Sequence, residues 1–286
     1  MRRFAPALVP MLLLLNGSVA QAASRQVVGE LVPNATAIEA GRPLIVGLHL
    51  VVAPGMHVYW SNPGDGGGPI RLEWTLPPGF TAGPLRFPVP DRIPQPGNLM
   101  VYGYENEVLL QTIITPPAHL NAGNVHLAAL GQWVVCSTEQ CYFGKANLTL
   151  DLPVAAPKPA NASLFAAWAP RMPRSSADAF SSVDVNWNAA SNEARLAFHW
   201  KNPATAPANI HWLPDSDDAT TTVEEQISSL SNITTMKLSI QPVAGIPQKQ
   251  TSISGVLSYH EDGQAPRGVA VTFDRKTMRL IDAAAN

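Results

Sequence analysis

Turn-forming residues interrupt this chain too often for it to fold around long helices. Its 286 residues include 27 prolines and 20 glycines. Proline removes a backbone donor and glycine offers no side chain to pack, so both end regular elements rather than extend them. The stretches between them are short and alternate apolar with polar side chains, which is the pattern of an all-β chain. Leu44 to Val52 is one such run; a turn at Pro54-Gly55 and a second run, His57 to Trp60, follow. A glycine-rich loop, Asn62 to Pro69, leads to Ile70–Trp74, and further strands are predicted over residues 107–114 and 125–130. Phe87 to Leu99 holds four prolines and a glycine, so it reads as an ordered loop with little capacity for ladder hydrogen bonds.

The proline- and alanine-rich run Pro153 to Ala160 lacks periodicity and reads as a linker. Beyond it, Leu164 to Ala169 predicts a short helix ended by Pro170 and Pro173. Short strands then resume over residues 183–187, 194–200, 209–213, 235–240, 252–259 and 268–273. Trp187, Trp200 and Trp212 are expected in the core of this second half. The expected organisation is a leader over residues 1–22, a first domain over 23–155, a linker over 156–163 and a second, smaller β-sandwich-like domain over 164–286. Roughly 260 residues after leader removal exceed what one small sandwich needs.

The leader reading rests on Arg2 and Arg3, an apolar run from Leu8 to Leu15, and the small-x-small site Ala20-Gln21-Ala22. The apolar run is too short to span a bilayer. The expectation is export to the periplasm as a protein without a membrane span after cleavage. Cleavage lowers Lys+Arg from 19 to 17 against 21 Asp+Glu, a net of about −4. Charge is dispersed, with no basic stripe of the kind that binds nucleic acid.

The only cysteines, Cys136 and Cys141, flank four residues in Gly131-Gln-Trp-Val-Val-Cys-Ser-Thr-Glu-Gln-Cys-Tyr-Phe-Gly144. An apolar strand-like run precedes them, and alternation resumes after Gly144, so the pair is predicted at the tip of a β-hairpin. A disulfide closing so small a loop restrains the unfolded chain by only about 2 kcal/mol, against about 4.7 for a hundred-residue loop. Export would place it where disulfides persist. The placement suits exchange better than stapling. Glu139 is the only charge between the cysteines and Lys145 the nearest cation in sequence, so the local sequence supplies no evident activation of a thiolate.

Several motifs in register with this pair carry a resemblance. They are Val58-Tyr-Trp-Ser-Asn-Pro-Gly-Asp-Gly-Gly67, Trp74-Thr-Leu-Pro-Pro-Gly-Phe80, Pro88-Val-Pro-Asp-Arg-Ile93, Val101-Tyr-Gly-Tyr-Glu-Asn-Glu-Val108 and the cysteine run itself. Over about residues 25–155 the chain resembles the periplasmic N-terminal domain of DsbD and ScsB thiol:disulfide interchange proteins. The second half, from Phe165-Ala-Ala-Trp168, resembles the additional β domain of the ScsB-like branch. The resemblance implies an immunoglobulin-like β-sandwich whose Cys136–Cys141 pair cycles between dithiol and disulfide. Cys141 would form the mixed disulfide with a partner, Cys136 would resolve it, and the aromatic Tyr142 after the second cysteine fits the family. The implied partners are thioredoxin-like periplasmic proteins or a separate membrane thiol transporter, since this sequence has neither hydrophobic spans nor a Cys-x-x-Cys motif. The implied activity is that of a protein-disulfide reductase component, without a cofactor.

By family position, His57 and Tyr59 lie on a strand whose side chains approach the sulfurs. Tyr59 either shields the pair or is an ordinary half-buried aromatic; His57 is either beside it or satisfied elsewhere. The segment holding Asp91, Arg92, Ile93 and Leu99 matches the place of a cap over the disulfide, with a rigid connector as the alternative. Histidines 49, 57, 119, 126, 199, 211 and 260 form no ligand-spaced pair; the two cysteines with a remote histidine could take Cu(I), but spacing alone does not support a site. The acidic run Asp215-Ser-Asp-Asp218 reads as a solvated loop rather than a calcium site. Two rival functions remain at this level: a binding or assembly module with an inert disulfide clip, and a copper-handling protein.

Overall fold

The alternating run at residues 44–52 becomes an inner strand. In the computed structural model, β2 (Leu44–Val52) buries Val46, Leu48 and Leu50 completely, each worth about 1.5–3 kcal/mol relative to exposure. β1 (Val27–Pro33) and β8 (Glu107–Thr115) flank it, and β5 (Thr81–Ala82) extends the sheet to the order β1-β2-β8-β5. Across the core lies a six-stranded sheet of β10 (Cys141–Pro153), β9 (Asn124–Cys136), β3 (His57–Gly64), β7 (Leu99–Glu105) and β6 (Asp91–Gln95), with β4 (Arg71–Thr75) also paired to β9. Both sheets feed one cluster that includes Leu48, Leu110, Leu127, Trp133 and Val135. This is an immunoglobulin-like β-sandwich, and the chain is all-β. The structure describes residues 26–201, 206–215, 220–242, 252–260, 263–274, 277 and 279–281. The predicted leader and most of the acidic run, Ser216 to Asp218, lie outside them.

The second half forms two further four-stranded sheets. One is β11 (Phe180–Asn188), β12 (Glu193–Trp200), β15 (Ile233–Pro242) and β14 (Thr220–Leu230), in that order. The other is β13 (His211–Pro214), β16 (Ser252–Tyr259), β17 (Arg267–Asp274) and β18 (Arg279–Leu280). Trp200 and Trp212 are buried in their shared core and Trp187 packs on its margin, as the sequence predicts. Helix α1 (Ala162–Trp168) and a 3-10 turn (Ala169–Arg171) precede a short helix α2 (Ser176–Ala179). The run read as a linker lies along the first sandwich, where Thr36 N donates to Lys158 O and Ala160 N to Asn34 O.

The proline-rich segment departs from the expectation of a loop without ladder bonds. Asp91–Gln95 pairs with Leu99–Gly103 as the hairpin β6–β7, turning through Pro96-Gly97-Asn98. The prolines are tolerated because β6 is an edge strand, where a missing donor that points outward breaks no ladder bond. Gly97 and Asn98 take φ of 83° and 61°, the left-handed values that the turn needs.

The two halves meet along this hairpin's base. Trp168, Leu213 and Val256 from the second half join the first core. Val89 N donates to Arg171 O at 2.7 Å, and Asn62 Nδ2 donates to Pro214 O at 2.9 Å.

Candidate functional site

Strands β9 and β10 run in continuous register from Asn124↔Pro153 to Cys136↔Cys141. The long ladder therefore delivers the two cysteines to directly opposed positions, 4.1 Å apart at Cα, and they are joined as a disulfide. The turn between them satisfies itself. Ser137 N donates to Gln140 O, and the Ser137 hydroxyl accepts from the amides of Glu139 and Gln140. Tyr142 Oη donates to Gln140 Oε1.

The two sulfurs occupy unlike surroundings. Cys136 is 1% exposed, whereas Cys141 lies on the solvent side of the edge strand. Tyr59 and Val101 are buried against Cys136, and Ile93 and Val134 pack around them. This small apolar cluster is separate from the main core. Gly67 closes it from the glycine-rich loop. Its φ is 91°, and a Cβ there would fall 2.2 Å from Tyr59 Cζ; only glycine allows the backbone so near the ring.

His57 sits opposite Cys136 in the β3–β9 ladder and is 3% exposed. Its Nε2 shares a 3.1 Å hydrogen bond with Tyr59 Oη, and the rings meet edge to face at 5.0 Å between centroids. Burial lowers the His57 pKa and raises that of Tyr59, so near neutral pH both are uncharged. The wall around the buried sulfur thus contributes no cation to stabilise a thiolate. The sign for stability follows from the histidine. Below its ordinary value of 6.5 the unfolded chain binds a proton that the folded site disfavours. Stability is full above pH 6.5 and falls as pH drops from there toward the lowered folded value. Urea midpoints measured from pH 8 to 5 should trace this loss, and His57→Gln should flatten it; an unchanged acid limb would refute the assignment.

The sequence-selected cap residues divide into two groups. Ile93 reaches the sulfur cluster, while Leu99 is 47% exposed at the hairpin's far end. Asp91 and Arg92 turn toward the second half. Arg171 Nη2 donates to Asp91 Oδ2 at 3.0 Å and to Val89 O at 2.8 Å, and Nε also donates to Val89 O. The Arg171 guanidinium lies over the rings of Trp168 and Tyr104, at 5.1 and 5.8 Å from their centroids. Arg92 Nη1 donates to His211 Nε2 at 2.8 Å, which fixes that nitrogen as the unprotonated one. Tyr104 Oη donates to Pro88 O at 2.6 Å. Val101, Val134 and Gly67 lie in the quoted motifs without a role assigned from sequence, and Arg171 lies outside them. Among the described residues, no cluster of three or more His, Cys, Asp or Glu could hold a metal ion, and no helix is long and apolar enough to cross a membrane.

The family model described as thiol:disulfide interchange protein DsbD, N-terminal, matches residues 29–163. No curated protein matches the chain. The crystal structure of the N-terminal periplasmic domain of ScsB from Proteus mirabilis is similar in fold, with a TM-score of 0.61 and 17% identity, over 91% of this chain and 96% of that one. The Neisseria meningitidis DsbD N-terminal domain in its reduced form is 16% identical, covering 46% of this chain and 90% of that one, with a TM-score of 0.25.

Proposed function

Because residues 29–163 belong to the DsbD/ScsB N-terminal domain family, we propose that this protein is a periplasmic module passing electrons between partner proteins through Cys136 and Cys141. One observation carries the assignment of roles: Cys136 is enclosed while Cys141 is exposed. An incoming thiolate can approach only the open sulfur. When a reduced partner attacks Cys141 Sγ, the Cys136–Cys141 bond breaks, a partner–Cys141 disulfide forms and Cys136 leaves as a thiolate that takes a proton from water. The partner's second thiolate then attacks its own sulfur in that bond and releases Cys141, so two electrons have entered the module. Delivery runs in the opposite sense. Cys141 attacks a substrate disulfide, Cys136 attacks Cys141 Sγ, and the reduced substrate departs.

On this reading the β6–β7 hairpin and the Gly67 loop act as a cap that selects the sulfur. The hairpin covers Cys136 through Ile93 and Val101, the Gly67 loop backs Tyr59 of β3, and Cys141 is left accessible. Residues 23–155 form the exchange unit, and residues 164–286, beyond a linker at 156–163, form a second unit that braces the cap. A core cluster drawn entirely from the second half supports that division. The partners are thioredoxin-like proteins or a membrane thiol carrier, and the leader at residues 1–22 directs export.

Equilibration with dithiothreitol or glutathione buffers gives the reduction potential of the pair. A value between about −180 and −270 mV is expected for an exchanging disulfide, and one well below about −300 mV would identify an inert clip.

A further inference from the structure

Strand β10 alternates so that Cys141, Phe143 and Lys145 share the outer face of its sheet, and all three are exposed. Phe143 is 85% exposed, more than any other large hydrophobic residue among those described. The register puts Phe143 opposite Val134, and Lys145, Gln132 and Arg71 in one row across β10, β9 and β4. Gly68 and Pro69, from the loop that roofs Tyr59, close the near side. Phe143, Val134 and Pro69, together with the cations Arg71 and Lys145, are among the residues that line a depression of about 560 Å³. Neither cation makes an ion pair among the described residues. The nearest acidic side chains in sequence, Glu73, Glu139 and Asp151, do not line it.

We propose that this strip is the docking surface for the partner thiol protein, and that the partner's face around its reactive cysteine is apolar with carboxylates at the margin. The inference rests on the exchange reading above. That reaction requires a partner sulfur at bonding distance from Cys141 Sγ, so the partner's surface must cover the surroundings of that atom. Phe143 lies two residues away, about 7 Å along the strand, well within a footprint of about 800 Å² per partner. An exposed aromatic there is a natural anchor once a partner excludes water. Arg71 and Lys145, on the same face, attract a face of opposite charge and speed the encounter.

The test compares two reductants of the oxidised protein under second-order conditions. One is a reduced thioredoxin-fold protein of net negative charge; the other is dithiothreitol, which needs no docking surface. Phe143→Ser, at an exposed position, leaves no cavity. It should slow reduction by the protein about tenfold and leave the dithiothreitol rate within twofold. Arg71→Glu with Lys145→Glu should slow the protein reaction about tenfold at low salt and reverse the sign of its ionic-strength dependence. Unchanged protein rates in both variants would overturn the proposal, as would an equal fall with dithiothreitol, which would mark a structural effect. A shift in oligomeric state of Phe143→Ser at an unchanged rate would assign the strip to self-association and overturn it too. If neither reagent reduces the wild-type disulfide, the exchange reading itself fails and takes the docking surface with it.

Discussion

Cys141→Ser should reduce exchange with protein partners to the uncatalysed background, whereas Cys136→Ser should accumulate a mixed disulfide. The asymmetry follows from exposure. In Cys136→Ser the remaining thiolate sits on the solvent side of β10. It can attack a partner disulfide, displace one partner thiolate, and then wait, because no second sulfur is left to displace it. In Cys141→Ser the remaining thiol is walled in by Tyr59, Val101, Ile93 and Val134. An apolar enclosure disfavours its ionised form and blocks the approach of a second protein. Non-reducing electrophoresis with mass spectrometry of periplasmic adducts measures the outcome. Equal trapping by the two variants, or more by Cys141→Ser, would refute the roles assigned. The wild-type dithiol offers a parallel check, since iodoacetamide should alkylate Cys141 well before Cys136.

Arg171→Ala is expected to have the next largest effect, on the cap and on stability together. Arg171 is largely buried, with 14% of its side chain exposed, and it ties two points of the segment entering the cap hairpin, Val89 O and Asp91. Hydrogen bonds that involve a charged group contribute about 1.5–3 kcal/mol. Asp91 is 43% exposed, so water replaces part of what is lost. The net loss should be about 2–3 kcal/mol, read as a lower urea midpoint. The freed hairpin should also uncover Cys136, so the reduced protein reacts faster with hydrogen peroxide and alkylates at both cysteines. Arg171→Lys separates charge from shape, because an ammonium cannot reproduce the forked contact of the guanidinium with Val89 O and Asp91. It should recover only part of the stability. An Arg171→Ala protein with wild-type stability and wild-type oxidation would show that the second half does not brace the cap.

The difference between these two sites also explains what could be read from the sequence. The cysteine hairpin is a local feature. Period-two alternation on both sides of a four-residue turn specifies two antiparallel strands, and the cysteines must then face each other. Strands such as 44–52 and 252–259 were legible for the same reason. β1 and β14 were not, since Val27–Pro33 lacks clean alternation and Thr220–Leu230 is a mostly polar edge strand. The hairpin β6–β7 was hidden by its prolines, whose usual meaning is reversed at a sheet edge. Ile93 was recoverable from its place in a family motif. Val101 and Val134 look like any strand valine, and their contact with Cys136 depends on how four strands line up. Arg171 is the extreme case. It is about 80 residues from Val89 and Asp91 in sequence, and nothing near Pro170 announces a partner, because that contact arises only when the two halves pack together.

The facing register of the two cysteines has a kinetic consequence. When Cys141 is bonded to a partner, the β9–β10 ladder still holds Cys136 one strand-width away. Its sulfur then acts at an effective concentration set by the fold, and well-oriented intramolecular groups can reach effective molarities of about 10⁵–10⁸ M. Millimolar thiols in the surrounding medium cannot compete with such a neighbour. On the exchange reading proposed above, the lifetime of the covalent complex would be set by the hairpin, and release of the partner would not depend on how rich the compartment is in small thiols.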